Sequence, residues 1–563
     1  MPVRSLKQGS FFDPRIAAPF CLVVGTVPWL LARWRDVICP RWLVAGWRGS
    51  GRIGRCAWPA PVLMTLLILR WTEEGTSRIG SMRRAASDIL WRAAMGLVIG
   101  GPTPSERTMR DFEAFLRERD PASDLPRYLL LHEHIVHLAR WSGSAADPTW
   151  TMDSTPQHCY GAVLDTVRLL GDGLRLVATA YSSATGTPLL LVARRWNLPL
   201  VLAKSTKGHL SIDWRDRDAR SRVITELAAD VIRVVAAVRT ELDKIKDGPR
   251  KRNLVSRCAV LLAVVEQDLE ATSDGRLVIA QRVAQNRVIS VTDPEARHGR
   301  KTKSQTFNGF KINVLGDLVS GLIVAVSVTA GNGHDAPPGH ELIARAVRMR
   351  VEMTRVLADT AYGGAADRHH LLTAHGITLV APPPPIVASE DGTSRRDFDI
   401  DFVAMTATCP NGVTTSTYER VEGAQPHTRF RWPLEACSAC PLRETCLRTS
   451  RKKAGDPTTD AKPHRPGRPR KAGRVLDLHP HEEDLRAARK AWADPEIRRE
   501  YRERTQCERL ISQVVRHGGR QARAWGQDAA NLQAHAIVMR CNLELLARNV
   551  AHSLEALTHR NAA

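Results

Sequence analysis

Three carboxylates of this 563-residue chain stand where their settings could serve chemistry. Asp153 in TMDSTP and Asp359 in VLADTAYGG each close a short apolar, strand-like run. Strand ends in α/β sheets are where ligands meet the sheet. Glu508 lies in YRERTQCERLISQVVRHGGRQARAWG, a stretch of helical spacing crowded with arginine, in a chain of formal net charge +22. Arg504, four residues earlier, could pair with it, although the favourable order places the acid first. Helix capping is the plain alternative for the aspartates. Beyond Asp359 helical pattern resumes only at AADRHHLLTAHG, past Gly363 and Gly364, too far to be capped by it. For Asp153 that alternative stays open, because Pro156 could begin a helix that Asp153 or Thr155 caps. Four further aspartates are rivals with structural readings: Asp165 inside a helix, Asp293 at a turn or helix start, Asp317 in a hairpin turn, and Asp335 capping a helix.

A second group of residues has metal-ligand character. Cys409, Cys437, Cys440 and Cys446 are spaced C-x27-C-x2-C-x5-C. In a reducing compartment a CxxC pair with two further cysteines can form a tetrahedral Zn²⁺ site, and four free thiols are the alternative. The region lacks periodic apolar residues, so a metal is expected to supply the fold there. RPGRPRK, with Arg465, Arg468 and Arg470, resembles an AT-hook, whose arginines enter the narrow minor groove of A·T-rich DNA. A solvated basic linker is the alternative.

Composition sets the frame for these residues. Lys and Arg number 81 against 59 acidic residues, and the pI near 10.0 points to a polyanionic partner. The arginines are spread along the chain rather than gathered beside one apolar anchor, which favours nucleic acid over a membrane surface. IAAPFCLVVGTVPWLLA, Ile16 to Ala32, is short for a membrane span and holds Pro19, Gly25 and Pro28, so it reads as buried or partly irregular core. Without an export signal the eleven cysteines belong in a reducing cytoplasm.

The positioning elements follow from periodicity. Residues 1–145 read as helical, with PAPVLMTLLILRW as one apolar helix, GSMRRAASDILWRAAMGL as one amphipathic helix, and Thr103, Pro104 and Glu106 as a capping box. The strand ending on Asp153 is followed by a helical section, about 165–285. Then FNGFKINVLGDLVSGLIVAVSVTAGNGHD forms a hairpin, and strands at TRVLADTAYGG and GITLVAPPPP complete a first core segment over 146–385. Residues 386–495 read as an irregular cysteine-rich and basic insertion, and 496–563 as the Glu508 helix and a closing amphipathic helix. The fold class is α/β.

Taken in order, Asp153, the hairpin, Asp359 and the YxxRxxxE pattern of Tyr501, Arg504 and Glu508 resemble DDE transposases of bacterial insertion sequences. The helical N-terminal region, VTDPEARHGRK and the cysteine-rich insertion are similar to one branch of them. The resemblance implies an RNase H-like core in which Asp153, Asp359 and Glu508 hold Mg²⁺ or Mn²⁺. Paired divalent ions held by carboxylates stabilise both the attacking and leaving oxygens of a phosphodiester. It further implies binding of double-stranded DNA at element ends and target, strand transfer, a homodimer in a synaptic complex, and a nucleoid-associated protein. On one helix Tyr501 and Arg504 would flank Glu508 and contact phosphates. Such motifs carry a basic residue seven positions after the glutamate; here Val515 stands there and Arg516 follows. A related nuclease without strand transfer, or an inactive DNA-binding repressor, is the alternative.

Overall fold

The computed structural model describes residues 22–47, 57–72, 77–144, 147–272, 277–302, 304–385, 393–423, 426–446 and 473–562. Two compact units emerge: Met1–Asp147, Met152–Val351 and Gln506–Ala563 form the first, and Pro148–Thr151 with Glu352–Thr505 form the second.

Among the described residues the first unit opens with six helices: α1 (Val27–Ile38), α2 (Ala60–Thr72), α3 (Arg78–Ser87), α4 (Ile89–Met95), α5 (Glu106–Arg117) and α6 (Arg127–Trp141). The apolar run around Ile16 to Ala32 enters the structure as the start of α1, with Val27, Trp29, Leu30 and Leu31 buried. Among the described residues no single helix is long and apolar enough to cross a membrane. Two expectations are corrected here. The amphipathic stretch around Asp88 is two helices, because the Asp88 carboxylate accepts from the amides of Leu90 and Trp91 and so restarts the helix as a cap. The next helix is capped by Ser105, whose hydroxyl accepts from Thr108 N at 3.2 Å, and not by Thr103. Glu113 of α5 sits buried between Arg70 of α2 and Arg78 of α3, at 2.6 and 2.8 Å.

Strand β1 (Thr149–His158) follows. A helical section of the same unit comes next, chiefly α7 (Thr166–Thr185), α8 (Arg217–Arg239) and α9 (Pro249–Asp268), closed around its own apolar core of residues such as Leu170, Leu174, Val231 and Leu261. The chain then forms β2 (Arg297–Arg300), β3 (Thr306–Asp317) and β4 (Ile323–Ala330), all antiparallel, with a bulge at Leu315/Gly316. Burial is nearly continuous along β3 from Gly309 to Asp317 and along β4 from Ile323 to Val328, so both faces of the hairpin are covered.

The second unit takes the first three residues of β1, paired in parallel with β5 (Arg355–Leu357), which pairs in parallel with β6 (Thr378–Val380) across helix α10 (Ala365–His375). Beyond it lie β7 (Asp399–Asp401), β8 (Thr406–Thr408) and β9 (Thr414–Thr415) in one small sheet, and β10 (Tyr418–Val421), β11 (His427–Arg431) and β12 (Val475–Leu478) in another. Phe398, Ile400, Ala407, Phe430, Trp432, Leu476 and Leu478 make a compact apolar core between them. This corrects the expectation that the cysteine-rich region has no apolar core: strands this short bury too few residues each to show a periodic pattern. Helices α11 (Glu482–Ala493) and α12 (Pro495–Arg502) end the unit.

The chain returns to the first unit with α13 (Thr505–Val514), a π turn (Val515–Gly519) and the long α14 (Gln527–Ala562). Helix α14 packs on α6, α2 and β4, so the N-terminal helices, the hairpin and α14 share one core. The fold is mixed α/β with parallel and antiparallel strand pairing.

Candidate active site

Asp153 lies in the middle of β1, not at its end. The strand runs through Pro156 to His158, because Thr155 and Gln157 continue the inward alternation and no helix begins at Pro156. The capping alternative for Asp153 therefore falls away. Its side chain is half-buried, and Oδ1 accepts from the amide of Ser154 at 2.8 Å.

Asp359 lies two residues beyond β5, half-buried. As expected it does not cap α10, whose N-cap is Gly364. It does cap something shorter: Oδ1 accepts from Ala361 N at 2.9 Å and opens a single 3₁₀ turn, Thr360–Tyr362. Sequence pattern misses such a turn because three residues carry no periodicity.

The arginine-rich stretch is not one helix. Helix α12 ends at Arg502 and α13 begins at Thr505. The amides of Glu503 and Arg504 bond back three residues, to Glu500 O and Tyr501 O, and the Thr505 hydroxyl donates to Arg502 O at 3.0 Å. These bonds tighten and close the helix end. Tyr501 and Arg504 thus belong to the end of α12 and the turn, and the shared helical face with Glu508 is not present. Tyr501 packs edge-on to Trp492 of α11, with ring centroids 4.9 Å apart. Arg355 at the start of β5 forms an ion pair with Glu500, which fixes α12 beside the strand that leads to Asp359.

Glu508 stands on the first turn of α13, where the helix dipole favours an anion. The opposite face, Cys507, Leu510 and Val514, is buried. Leu510 sits over Gly316, where a Cβ would lie 2.5 Å from its Cδ1, so the glycine at the strand bulge is what lets the helix dock on the hairpin. Glu508 itself is exposed and makes no hydrogen bond or ion pair with the described residues. The surface pair with Arg504 is absent, and the carboxylate is left open to an external cation.

Past α13 the backbone relaxes into the π turn, with Gly518 at φ +88°. The two residues with non-helical backbone, His517 and Gly518, follow Arg516, so the turn leaves Arg516 one residue past the seventh position from Glu508. Arg516 is exposed and borders a cavity with His517, Arg540, Glu544 and Arg548. The segment after the turn then grips the end of β1. His158 N donates to Arg520 O and Ala522 N to His158 O, both at 2.8 Å, while Arg520 Nη1 reaches Thr155 Oγ1 at 2.9 Å.

The rival aspartates have structural partners. Asp165 is corrected from a helix interior to the N-cap of α7, where it accepts from Arg168 N and pairs with Lys207. Asp317 holds the hairpin turn through Ser320 N. Asp335 occupies the N-cap position of the helix Ala336–Arg348, but its carboxylate is turned to Lys311 Nζ at 2.9 Å rather than to a helix amide.

Cys409, Cys437, Cys440 and Cys446 are half-buried free thiols that line one small cavity with Trp432, Arg443 and Arg474. Cys437 Sγ accepts from Arg474 N at 3.3 Å. Burial pushes the Cys446 thiol up, which opposes the thiolate that a metal requires. Among the described residues the only group of three or more His, Cys, Asp or Glu ligand atoms within 4.8 Å of one another is elsewhere: His369, His481 and Asp484. His369 Nδ1 is 2.8 Å from Asp484 Oδ2, and the two imidazoles stack at 3.8 Å. Sequence reading missed this trio because His369 lies 115 residues from Asp484. Arg465, Arg468 and Arg470 lie outside the described residues.

No curated protein and no solved structure matches the chain. Residues 408–547 match the family model described as Transposase DDE domain. That span takes in the four cysteines, the arginine-rich segment and Glu508, and ends short of Asp153 and Asp359 on the N-terminal side. Over that stretch the chain is similar to DDE-type transposases, and this likeness supports a transposase function.

Proposed function

We propose that the protein is a DNA transposase with an RNase H-like core, which binds the ends of an insertion sequence, hydrolyses phosphodiesters there and joins the freed 3′-hydroxyl to target DNA. The observation that carries this reading is Glu508: an exposed carboxylate without a partner among the described residues, inside the transposase-like stretch and amid arginines. Asp153, Asp359 and Glu508 offer hard oxygen donors of the kind Mg²⁺ or Mn²⁺ prefers, and these three would hold the ions. When bound, such ions stabilise charge on the attacking and leaving oxygens. Tyr501, Arg504 and Arg516, with Arg465, Arg468 and Arg470 of the basic tract, would bind phosphates or the minor groove and so orient the DNA. The four cysteines would hold a structural Zn²⁺, and their shared cavity supports that assignment. The working form would be a homodimer on two element ends, in the nucleoid, with residues 1–145 contributing to DNA binding and dimerisation.

The test is to map cleavage and joining on DNA carrying the element's native flanks, with Mg²⁺. Nicks at the element boundary and joined products that vanish in Glu508→Gln are expected. Specific binding with no cleavage by the unaltered protein would instead mark it as a repressor, and cleavage without joining as a nuclease.

A further inference from the structure

Asp293 was a rival for the acidic site, and its surroundings give it a different task. Its side chain is wholly buried, with a fractional exposure of 0%. Oδ1 accepts from Gly526 N at 3.0 Å. The amides of Gly161 and Tyr160 also approach the carboxylate and favour its charged form, while burial works more strongly in the other direction. Oδ2 completes no hydrogen bond among the described residues. One buried carboxylate thus faces two strand-and-loop segments at once: residues 160–161, which continue β1 beyond Asp153, and residue 526, which ends the segment running on from the Glu508 helix.

The neighbourhood is built tightly around this contact. A Cβ on Gly161 would lie 2.7 Å from Asp293 Cβ and 2.7 Å from Ser290 Oγ, so only glycine lets the β1 extension approach. Ser290 Oγ also accepts from Asp293 N at 3.3 Å. Two residues on, Glu295 Oε2 accepts from Gln527 N at 2.6 Å, a second bond to the same segment. Gln521 Nε2 donates to Cys159 O at 2.9 Å, and residues 158 and 521 form a parallel bridge. Asp293 therefore lies at the closed end of a seam that begins at Thr155 and Arg520, two residues from Asp153.

We propose that Asp293 is a positioning residue for the acidic site: by bonding the segment after the Glu508 helix and packing closely against the β1 extension at Gly161, it fixes how Asp153 and Glu508 are presented to a divalent ion. This rests on the metal-dependent reading above. It also explains why an acid is placed here without solvent or a cation. One oxygen takes Gly526 N and the other is unpaired among the described residues, so the carboxylate keeps acceptor capacity beside the amides of residues 160 and 161.

The test measures Mn²⁺ binding directly, by electron paramagnetic resonance on the full chain, for the unaltered protein, Asp293→Asn and Gly161→Ala. Outer contacts that orient metal ligands change affinity by about 10- to 100-fold when removed, and a weakening of at least about tenfold is expected in both variants, with DNA binding in metal-free buffer retained. Thermal melting of each variant establishes that it is folded at the measuring temperature. A folded variant that binds Mn²⁺ as tightly as the unaltered protein would overturn the proposal and leave the transposase reading standing. If Asp293→Asn does not fold, Gly161→Ala decides alone, since it displaces Asp293 without removing its charge. Failure of the unaltered protein to bind Mn²⁺ would overturn both readings.

Discussion

Nδ1 of His132 on α6 lies 2.9 Å from Nδ1 of His535 on α14, with both rings sealed from solvent. One nitrogen must donate and the other accept, so the pair is built for two neutral imidazoles. Burial pushes His132 down to about 4, and burial together with His132 pushes His535 well below its ordinary value. The unfolded chain takes up these protons near the ordinary 6.5, and the folded chain resists until lower pH. The pair's contribution is therefore complete above about pH 6.5 and is lost as pH falls from there toward about 4. Melting temperature should drop steeply across that window. His132→Gln, which cannot take up a proton, should flatten the drop, and an unchanged slope would reject the pair as its source.

Glu113 joins α5 to α2 and α3 through Arg70 and Arg78. Glu113→Ala would take from the buried Arg70 guanidinium the carboxylate that lies 2.6 Å away. A loss of about 3–5 kcal/mol is expected, since breaking a buried pair costs far more than the pair's net worth. Denaturant unfolding gives the number, and a loss below about 1 kcal/mol would mean that water reaches Arg70.

Glu508→Gln, Asp153→Asn and Asp359→Asn should each lower cleavage by orders of magnitude, and combining them should add little, because groups acting as a unit are not additive. DNA binding in metal-free buffer should hold or tighten as a negative charge is lost. Asp335→Asn is a poor control given its pair with Lys311. Asp216→Asn is better: Asp216 is an exposed N-cap of α8, and asparagine caps equally well. Cleavage by Glu508→Gln at the original rate would remove it from the site.

The four-cysteine cavity should carry one zinc per chain, found by elemental analysis of protein purified without chelator and lost in Cys437→Ser with Cys440→Ser. Because the small sheets around it have their own apolar core, chelation should remove the metal without unfolding them. Well-folded protein with no bound metal would end the assignment.

How much of this was legible depended on how far apart the deciding groups lie. The β3–β4 hairpin and the strands at Arg355 and Thr378 could be read locally, as apolar runs bounded by turn residues. The break between Tyr501 and Thr505 could not, as no glycine or proline marks it and a single threonine hydroxyl takes part in the closure. Asp153 was mistaken for a strand end because Pro156 usually stops strands; here Thr155 and the end of the strand are held from more than 360 residues away. Asp293 does open a turn, as the sequence suggests, with Ala296 N donating to its carbonyl, but the partner of its side chain was not legible. Its partner amide at Gly526 is 233 positions distant.

Helix α14 closes the core that α2 and α6 begin, across a separation of 403 residues at the His132–His535 contact. On the ribosome, this places a debt of unburied apolar surface on the emerging chain. Leu63, Leu67, Leu131 and Ile135 leave the exit tunnel long before Ile537 and Leu543 exist to cover them. Contacts this remote in sequence form late and slowly, and surfaces exposed meanwhile invite aggregation or chaperones. Synthesis that stops before Gln527 should therefore give no stable first unit at all, so none of that unit's chemistry can begin until α14 has been made.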